Sequence, residues 1–278
     1  MPFTGKATYD GGASLPELVD DVSDLVGLIS PFDTPLLDFI GSPRYSAKST
    51  HHEWAGGENF TQIFTESVMI SGSLDAVGLH AVEREFDYQV IQRLRELLRS
   101  LEQSVINGYK AEGGGTGDAS YARRTMDGIV PMLAKRGKNI PSNAQPLDEK
   151  MLNAAIGLAG PLSAGTIVCN GFQKRKISTF SPSRRQHGEG VSTNLVDVYE
   201  SDFGVQRVIL SRWVPADKVL ILDLDKLQVI PLAGRSFFVK PLAESGDFRK
   251  AQIIGEYTLE AINAADGGHG VITNLAIA

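Results

Sequence analysis

The strongest periodicity in the chain runs through residues 83–110, EREFDYQVIQRLRELLRSLEQSVINGYK. Phe86, Val90, Ile91, Leu94, Leu97, Leu98, Leu101, Val105, Ile106 and Tyr109 recur at steps of three and four, which draws one apolar stripe along an α-helix. Arg93, Arg95, Glu96, Arg99 and Glu102 fall mostly off that stripe. A helix of this length spans about 40 Å, and the glycines of GGGTGD at 113–118 stop it. Shorter helices are predicted over Leu147–Ala159 and from Gly171 through GFQKRKISTF. Asp33-Thr34-Pro35 reads as a cap with proline at the first helical position, so a short helix covers Pro35–Ile40 and ends at Gly41.

Elsewhere the pattern switches to period two. RYSAKSTHHEW (44–54) places Tyr45, Ala47, Ser49, His51 and Glu53 on one face and Ser46, Lys48, Thr50, His52 and Trp54 on the other, neither strongly apolar. Gly56-Gly57 turns the chain, and FTQIFTESVMISGSL (60–74) is again β-like. The expectation for 44–82 is a long two-stranded excursion, partly exposed on both faces and resting on something else, because a ribbon alone is marginal. RRTMDGIVPML (123–133) reads as a tether back to the core. GTIVCNGF carries a buried strand, and LVDVYES, VQRVILS, KVLILD, LDKLQVIPL and RSFFVKPLA are short strands. In AQIIGEYTLEAINAADGGHGVITNL (251–275), Ile253, Tyr257, Leu259 and Ala261 share a face, and Asp266-Gly267-Gly268 predicts a hairpin turn into the last strand. Helices and strands in this mixture define an α+β chain without internal repeats.

Composition narrows the classes. A chain of 278 residues that is 42% hydrophobic can bury a core as one large or two ordinary domains. A net charge of -6 argues against free DNA binding, which needs a dense basic face. The single Cys169 excludes an internal disulfide framework and cysteine-based zinc sites, and sits in an apolar strand as a small core residue. No run reaches the roughly 18 apolar residues of a membrane span, and the start lacks a signal-peptide core, so a soluble chain made in the cytoplasm is expected. Residues 1–24, rich in Gly, Ser and Asp, read as a frayed terminus or as an arm that orders on a neighbour.

Candidate chemistry is sparse. His51 and His52 point to opposite sides of a strand; His51 and Glu53 share a face, but a zinc site needs three or four protein ligands, so a polar strand is the reading. GGGTGD lacks the Lys and Ser/Thr of a phosphate loop and follows a helix rather than a strand. Asp223 and Asp225 form a D-x-D pair that either binds a divalent cation or ends a strand. Ser163, Ser178 and Ser183 have no nucleophile-elbow context. Lys174, Arg175, Lys176, Arg184 and Arg185 make the densest basic patch, either solvated surface or a contact with acidic neighbours or nucleic acid. Neither a catalytic set nor a cofactor or metal site is predicted.

The order of parts is more telling than any single motif. SPFDTPLLDFIG (30–41), AKSTHHEW (47–54), RRTMDGIVPML with its R-x-M-x-G core, and GEYTLEAINAADGGHGVITNL (255–275) resemble, in this order, segments of tailed-bacteriophage major capsid proteins with the Hong Kong 97-like fold, and more narrowly the short podophage type. The resemblance implies an N-terminal arm (1–41), an extended β-hairpin loop (42–82), a peripheral domain with a spine helix (83–144), an axial domain (145–230) and a return to the peripheral sheet (231–278). It implies pentamers and hexamers of an icosahedral shell around double-stranded DNA bound without sequence specificity, a virion location, a portal, and a scaffolding protein encoded elsewhere. His51, His52, Glu53, Trp54, Phe60, Phe64, Arg184 and Arg185 are the expected assembly contacts, with Trp54 as the buried anchor. Between Lys48 and Lys110 there is no lysine, so non-covalent assembly is expected in place of a loop cross-link. The rival readings are an encapsulin-like nanocompartment shell, a tail or neck protein, and a metal-dependent hydrolase using His51, Glu53 or the 223/225 pair.

Overall fold

The computed structural model describes residues 33–54, 57–76, 85–112, 123–135, 139–160, 165–180, 196–243, 246–262 and 268–277. In chain order the elements are α1 (Pro35–Ile40), β1 (His51–Trp54), β2 (Gly57–Phe60), β3 (Gln62–Ser71), α2 (Gly72–Ala76), α3 (Glu85–Asn107) and α4 (Ile129–Lys135). They continue with β4 (Asn139–Pro141), α5 (Glu149–Ala159), β5 (Thr166–Cys169), α6 (Gly171–Phe180), β6 (Val196–Ser201), β7 (Gly204–Leu210) and β8 (Val219–Leu222). A 3-10 turn (Leu224–Lys226) leads into β9 (Leu227–Pro231), β10 (Phe238–Pro241), β11 (Phe248–Ala261) and β12 (His269–Thr273).

Two sheets share a core. In the first, β11 pairs antiparallel with β3 from Phe248↔Ser71 to Tyr257↔Gln62, while β10 and then β9 follow one another along its other edge. Alternation sends Phe64, Val68, Ala251, Ile253 and Tyr257 to the face covered by α3, whose stripe from Phe86 to Ile106 supplies the facing apolar layer. The second sheet has the order β4-β12-β8-β5-β7-β6. Ile167 and Cys169 face α5 and α6 in a second apolar cluster, whereas Val168, Leu220, Leu222 and Val271 look into the core shared with α3. The chain crosses between the sheets after β3, after β8 and after β11, and the described ends of the last two crossings are neighbours. They are held together by the Ile262 N–H on the Lys226 carbonyl (2.9 Å) and the Asp223 N–H on His269 Nδ1 (3.4 Å). Burial pushes the His269 ring down to about 4, which keeps it neutral and able to accept that bond.

The long helix is shorter than its pattern suggests, 23 residues or about 35 Å. It stops at Gly108 because Gly108 and Gly128 meet backbone to backbone: the Gly128 N–H donates to the Gly108 carbonyl at 2.9 Å. A Cβ on Gly128 would stand 2.4 Å from the Gly108 nitrogen. Of the stripe, Ile91 and Tyr109 are exposed, and Tyr109 lies beyond the helix.

Glu102, assigned by its spacing to the polar side, is fully buried. Its two carboxylate oxygens accept the N–H groups of Leu36 and Leu37, both at 2.9 Å, and so cap the first turn of α1. Beside it Asp33 pairs with Arg99 (2.6 Å) and Arg212 (2.8 Å), and Trp213 donates to the Asp33 carbonyl. The polar edge of α3 therefore fixes where the chain enters the described fold.

Two expectations need correction. Residues 44–82 are not one two-stranded ribbon: β1 and β2 form a short hairpin, residues 44–50 make only an isolated bridge (Ala47 to Leu232), and β3 lies in the first sheet with Phe64, Val68 and Ile70 in its core. The last strand does not fold back on β11. β12 pairs with β8 and β4 in the second sheet, where Gly270 lets it lie against Ala155 and Ala159 of α5. Turn residues mark where a chain reverses but do not name the partner strand.

Two predictions follow from these anchors. Gly128→Ala forces the α3 exit away from α4 and costs about 1–3 kcal/mol, as overpacking typically does, read as a lowered denaturation midpoint. Burial, only partly opposed by the two amide donors, pushes the Glu102 carboxyl up to about 8. From the ordinary carboxylate value of about 4.3 up to that point, the folded chain holds the extra proton, so stability falls as pH rises through this window and levels off above it. Denaturant midpoints at about pH 5 and about pH 9 should differ less in Glu102→Gln than in the parent chain.

Candidate functional site

Three residues on the outer face of β11, Glu256, Thr258 and Glu260, alternate as solvent-facing positions should, yet all three are buried. A carboxylate out of water needs a partner or it destabilises the fold by several kcal/mol. Glu256 receives Arg124 at 2.5 Å, Arg235 at 2.8 Å and the Thr61 hydroxyl at 2.5 Å. Glu260 receives the Tyr45 hydroxyl and His52 Nε2, the latter at 3.1 Å. Thr258 donates to the Phe60 carbonyl at 3.1 Å. Burial first, and then the bond to and charge of Glu260, push the Tyr45 hydroxyl up to about 12, so Tyr45 stays a donor.

The β1–β2 hairpin docks on this polar strip. Trp54 Nε1 donates to the Ala261 carbonyl at 3.1 Å, and its ring stacks on His52 with centroids 5.7 Å apart. Asn59, fully buried, donates to the carbonyls of Leu259 (2.9 Å) and Asp127 (3.1 Å) and accepts the Asp127 N–H at 2.8 Å. Arg124 also donates to the Thr61 carbonyl at 2.6 Å. Within R-x-M-x-G, then, Arg124 neutralises Glu256, Met126 is buried in the core and Gly128 makes the close approach to Gly108. Segments separated by up to about two hundred residues in sequence meet within one cluster.

The hairpin's other face looks outward. The register pairs His51 with Phe60 and Glu53 with Glu58. His51 Nδ1 is 3.5 Å from Glu53 and Nε2 3.0 Å from Glu58, while Lys110 reaches Glu58 at 2.5 Å and lies over the Phe60 ring. The Lys110 ammonium, and after it the His51 ring, hold the Glu58 carboxyl below the usual range. A cleft of about 510 Å³ runs alongside, lined by Tyr45, Lys48, His51 and Glu53 among others.

The expected contact residues thus divide. His51, Glu53 and Phe60 lie on or beside the outward face, His52 and half-buried Trp54 point into the subunit's own β11, and Phe64 is buried beneath β3. Arg184 and Arg185 lie outside the described residues, as do GGGTGD, Ser163, Ser183 and residues 1–32. Asp223 accepts the Asp225 N–H and pairs with Lys226, the behaviour of a strand end. Cys169 is buried. Tyr45, Asn59, Glu58, Lys110, Arg124, Arg235, Glu256 and Glu260 were not singled out by sequence. The signal available was a polar face on β11 matched by a hairpin without an apolar one.

A polar-docked hairpin, a long helix beneath a sheet and a second helix-covered sheet together make up an α+β subunit. The fold matches the SrpI encapsulin of Synechococcus elongatus (TM-score 0.62, 10% identity, 96% of this chain and 93% of that one). It also matches the capsid asymmetric unit of cyanophage A-1(L) (0.58, 12%, 94% and 97%) and the satellite phage P4 procapsid, whose structure includes the size determination protein Sid (0.54, 10%, 96% and 94%). No curated protein matches the chain. The SU10 major capsid protein family matches residues 55–276. The chain belongs to that family, and it is a structural capsid protein with the Hong Kong 97-like fold, built to assemble with copies of itself into an icosahedral virion shell.

Arg124→Met leaves Glu256 buried with one cation, so it should cost about 3 kcal/mol, whereas Arg124→Met with Glu256→Gln should recover part of that loss. Urea midpoints of the parent, the two single variants and the double variant measure the coupling.

Proposed function

We propose that the shell is held by non-covalent contacts and encloses double-stranded DNA, with a portal and a separately encoded scaffolding protein assisting assembly after synthesis in the host cytoplasm. The observation that carries this reading is the family match across residues 55–276, most of the chain. Non-covalent assembly is supported by the absence of lysine between Lys48 and Lys110 and by the engagement of Lys110 with Glu58 of its own chain. Shell proteins work through large interfaces rather than a reaction pocket, and no catalytic constellation stands out among the described residues. The net charge of -6 suits a container that must not grip its nucleic acid.

Within the subunit we assign 1–41 to an arm, 42–82 to an extended loop, 83–144 to a peripheral domain around α3, and 145–230 to an axial domain. Residues 231–278 return to the peripheral sheet as far as β11, after which β12 joins the other sheet. His51, Glu53 and Phe60 are the loop's contacts with a neighbouring subunit, Trp54 and His52 hold the loop in the shape those contacts need, and Arg184 and Arg185 are further contacts. The likeness to an encapsulin favours one second reading, a protein nanocompartment.

Purified particles distinguish the two: negative-stain images should show closed shells, and their contents should be nuclease-protected double-stranded DNA rather than a protein cargo. On a denaturing gel they should run as monomers, since a ladder of high-mass species contradicts non-covalent assembly. Trp54→Ala should give particles that dissociate at lower denaturant, and unchanged particles would remove Trp54 from the anchor role.

A further inference from the structure

We propose that His51, Glu53 and Glu58 bind one divalent transition cation of the zinc class on the outward face of the β1–β2 hairpin. On sequence alone this stretch offers two donors on one strand face, one short of a site. The register adds the third: Glu58 on β2 stands directly opposite Glu53 on β1, and His51 lies two residues back on the same face. One donor atom from each of the three side chains lies within 4.8 Å of the other two.

Around a tetrahedral ion with bonds of about 2.1 Å, donors are about 3.4 Å apart. The His51 Nδ1 to Glu53 distance of 3.5 Å is already there. Glu53 and Glu58 are more than half exposed at the side chain, so rotation of Glu53, and of Glu58 against its tie to Lys110, can close the remaining distance, while His51 is fixed by the strand and by its contact with Phe60.

Charge argues the same way. Two carboxylates directly opposite across a hairpin repel. Lys110 offsets one of them through Glu58 Oε1, which leaves Glu58 Oε2 turned to the imidazole, while Glu53 has the ring 3.5 Å away. Glu53, Glu58 and Lys110 together carry a formal net single negative charge, and a dication bound by Glu53, Glu58 and one ring nitrogen relieves the remaining repulsion.

The donor chemistry selects the ion. One imidazole with two carboxylates suits Zn²⁺ and its neighbours, whereas Mg²⁺ and Ca²⁺ prefer oxygen alone. Three protein donors on an open hairpin leave a coordination position facing outward, available to water or to another molecule's donor. The cation would also tie β1 to β2, adding to the hold that Lys110 already has on the outer face through Glu58. This inference does not depend on the shell reading.

Equilibrium dialysis of the full-length protein against zinc chloride, with atomic absorption as readout, tests it. One Zn²⁺ per chain is expected, weakened about tenfold or more by His51→Ala and by Glu58→Gln. Lys110→Met, which frees Glu58 from its competing cation, should tighten binding, and His51→Ala on that background should abolish the gain. Asp202→Asn, in the β6–β7 turn of the second sheet, should leave uptake unchanged. The proposal is overturned if no stoichiometric uptake occurs, if the His51 and Glu58 variants bind as well as the parent, or if calcium chloride is taken up equally and irrespective of His51.

Discussion

Two carboxylates buried on one strand organise this subunit. Glu256 and Glu260 sit on the outer face of β11, where the pleat would ordinarily hand them to water. Covered by the hairpin, they impose a demand that only donors and cations satisfy. Arg124, Arg235 and Thr61 answer at Glu256, and Tyr45 and His52 at Glu260. Because these partners come from before α3, after α3 and from the β9–β10 connection, satisfying the two acids positions three separated segments at once. Apolar packing would have allowed the hairpin to slide; paired charges and directed hydrogen bonds do not.

That arrangement explains which parts of the fold were legible. The helix α3, the strand-rich second half and the apolar alternation of β11 follow from period and propensity, since burial against a core imposes both. The segments 30–41, 47–54, 123–133 and 255–275 were legible as a family pattern, and partly as local structure in the helix Pro35–Ile40 and the strands β1 and β11, but not in the contacts that join them. Nothing in the HEW or the R-x-M-x-G stretch states that His52 meets Glu260 and Arg124 meets Glu256. A polar face reads as solvent-exposed by default, and only the tertiary arrangement reveals a matching polar face above it. The same default hid Glu102, whose burial is set by the unsatisfied amides of α1 rather than by its own hydropathy. Pairing partners were similarly out of reach: the glycines after Ala261 announced a reversal, while β12 went to the other sheet.

Function in this fold is carried by surfaces, and the hairpin divides its labour between two of them. Its inner side is spent on the subunit itself through His52, Trp54 and Asn59. Its outer side presents His51, Glu53, Glu58 and Phe60, a compact set of metal-ligating, charged and aromatic groups. A loop that is to touch a neighbour reproducibly must first be rigid on its own subunit, because every rotamer frozen at the interface weakens association. The buried acids supply that rigidity before any neighbour arrives.

The paired passages between the two sheets have a mechanical meaning. The 3-10 turn after β8 is tied to the end of β11 by the Lys226–Ile262 bond and to the start of β12 by the contact of Asp223 with His269. A lone connector is a swivel, about which two bodies can twist as well as bend. Two connectors held abreast form a strap: twisting one sheet against the other stretches one passage and compresses the other, while bending about the line between them strains neither. In this subunit those ties act together with the core that the two sheets share.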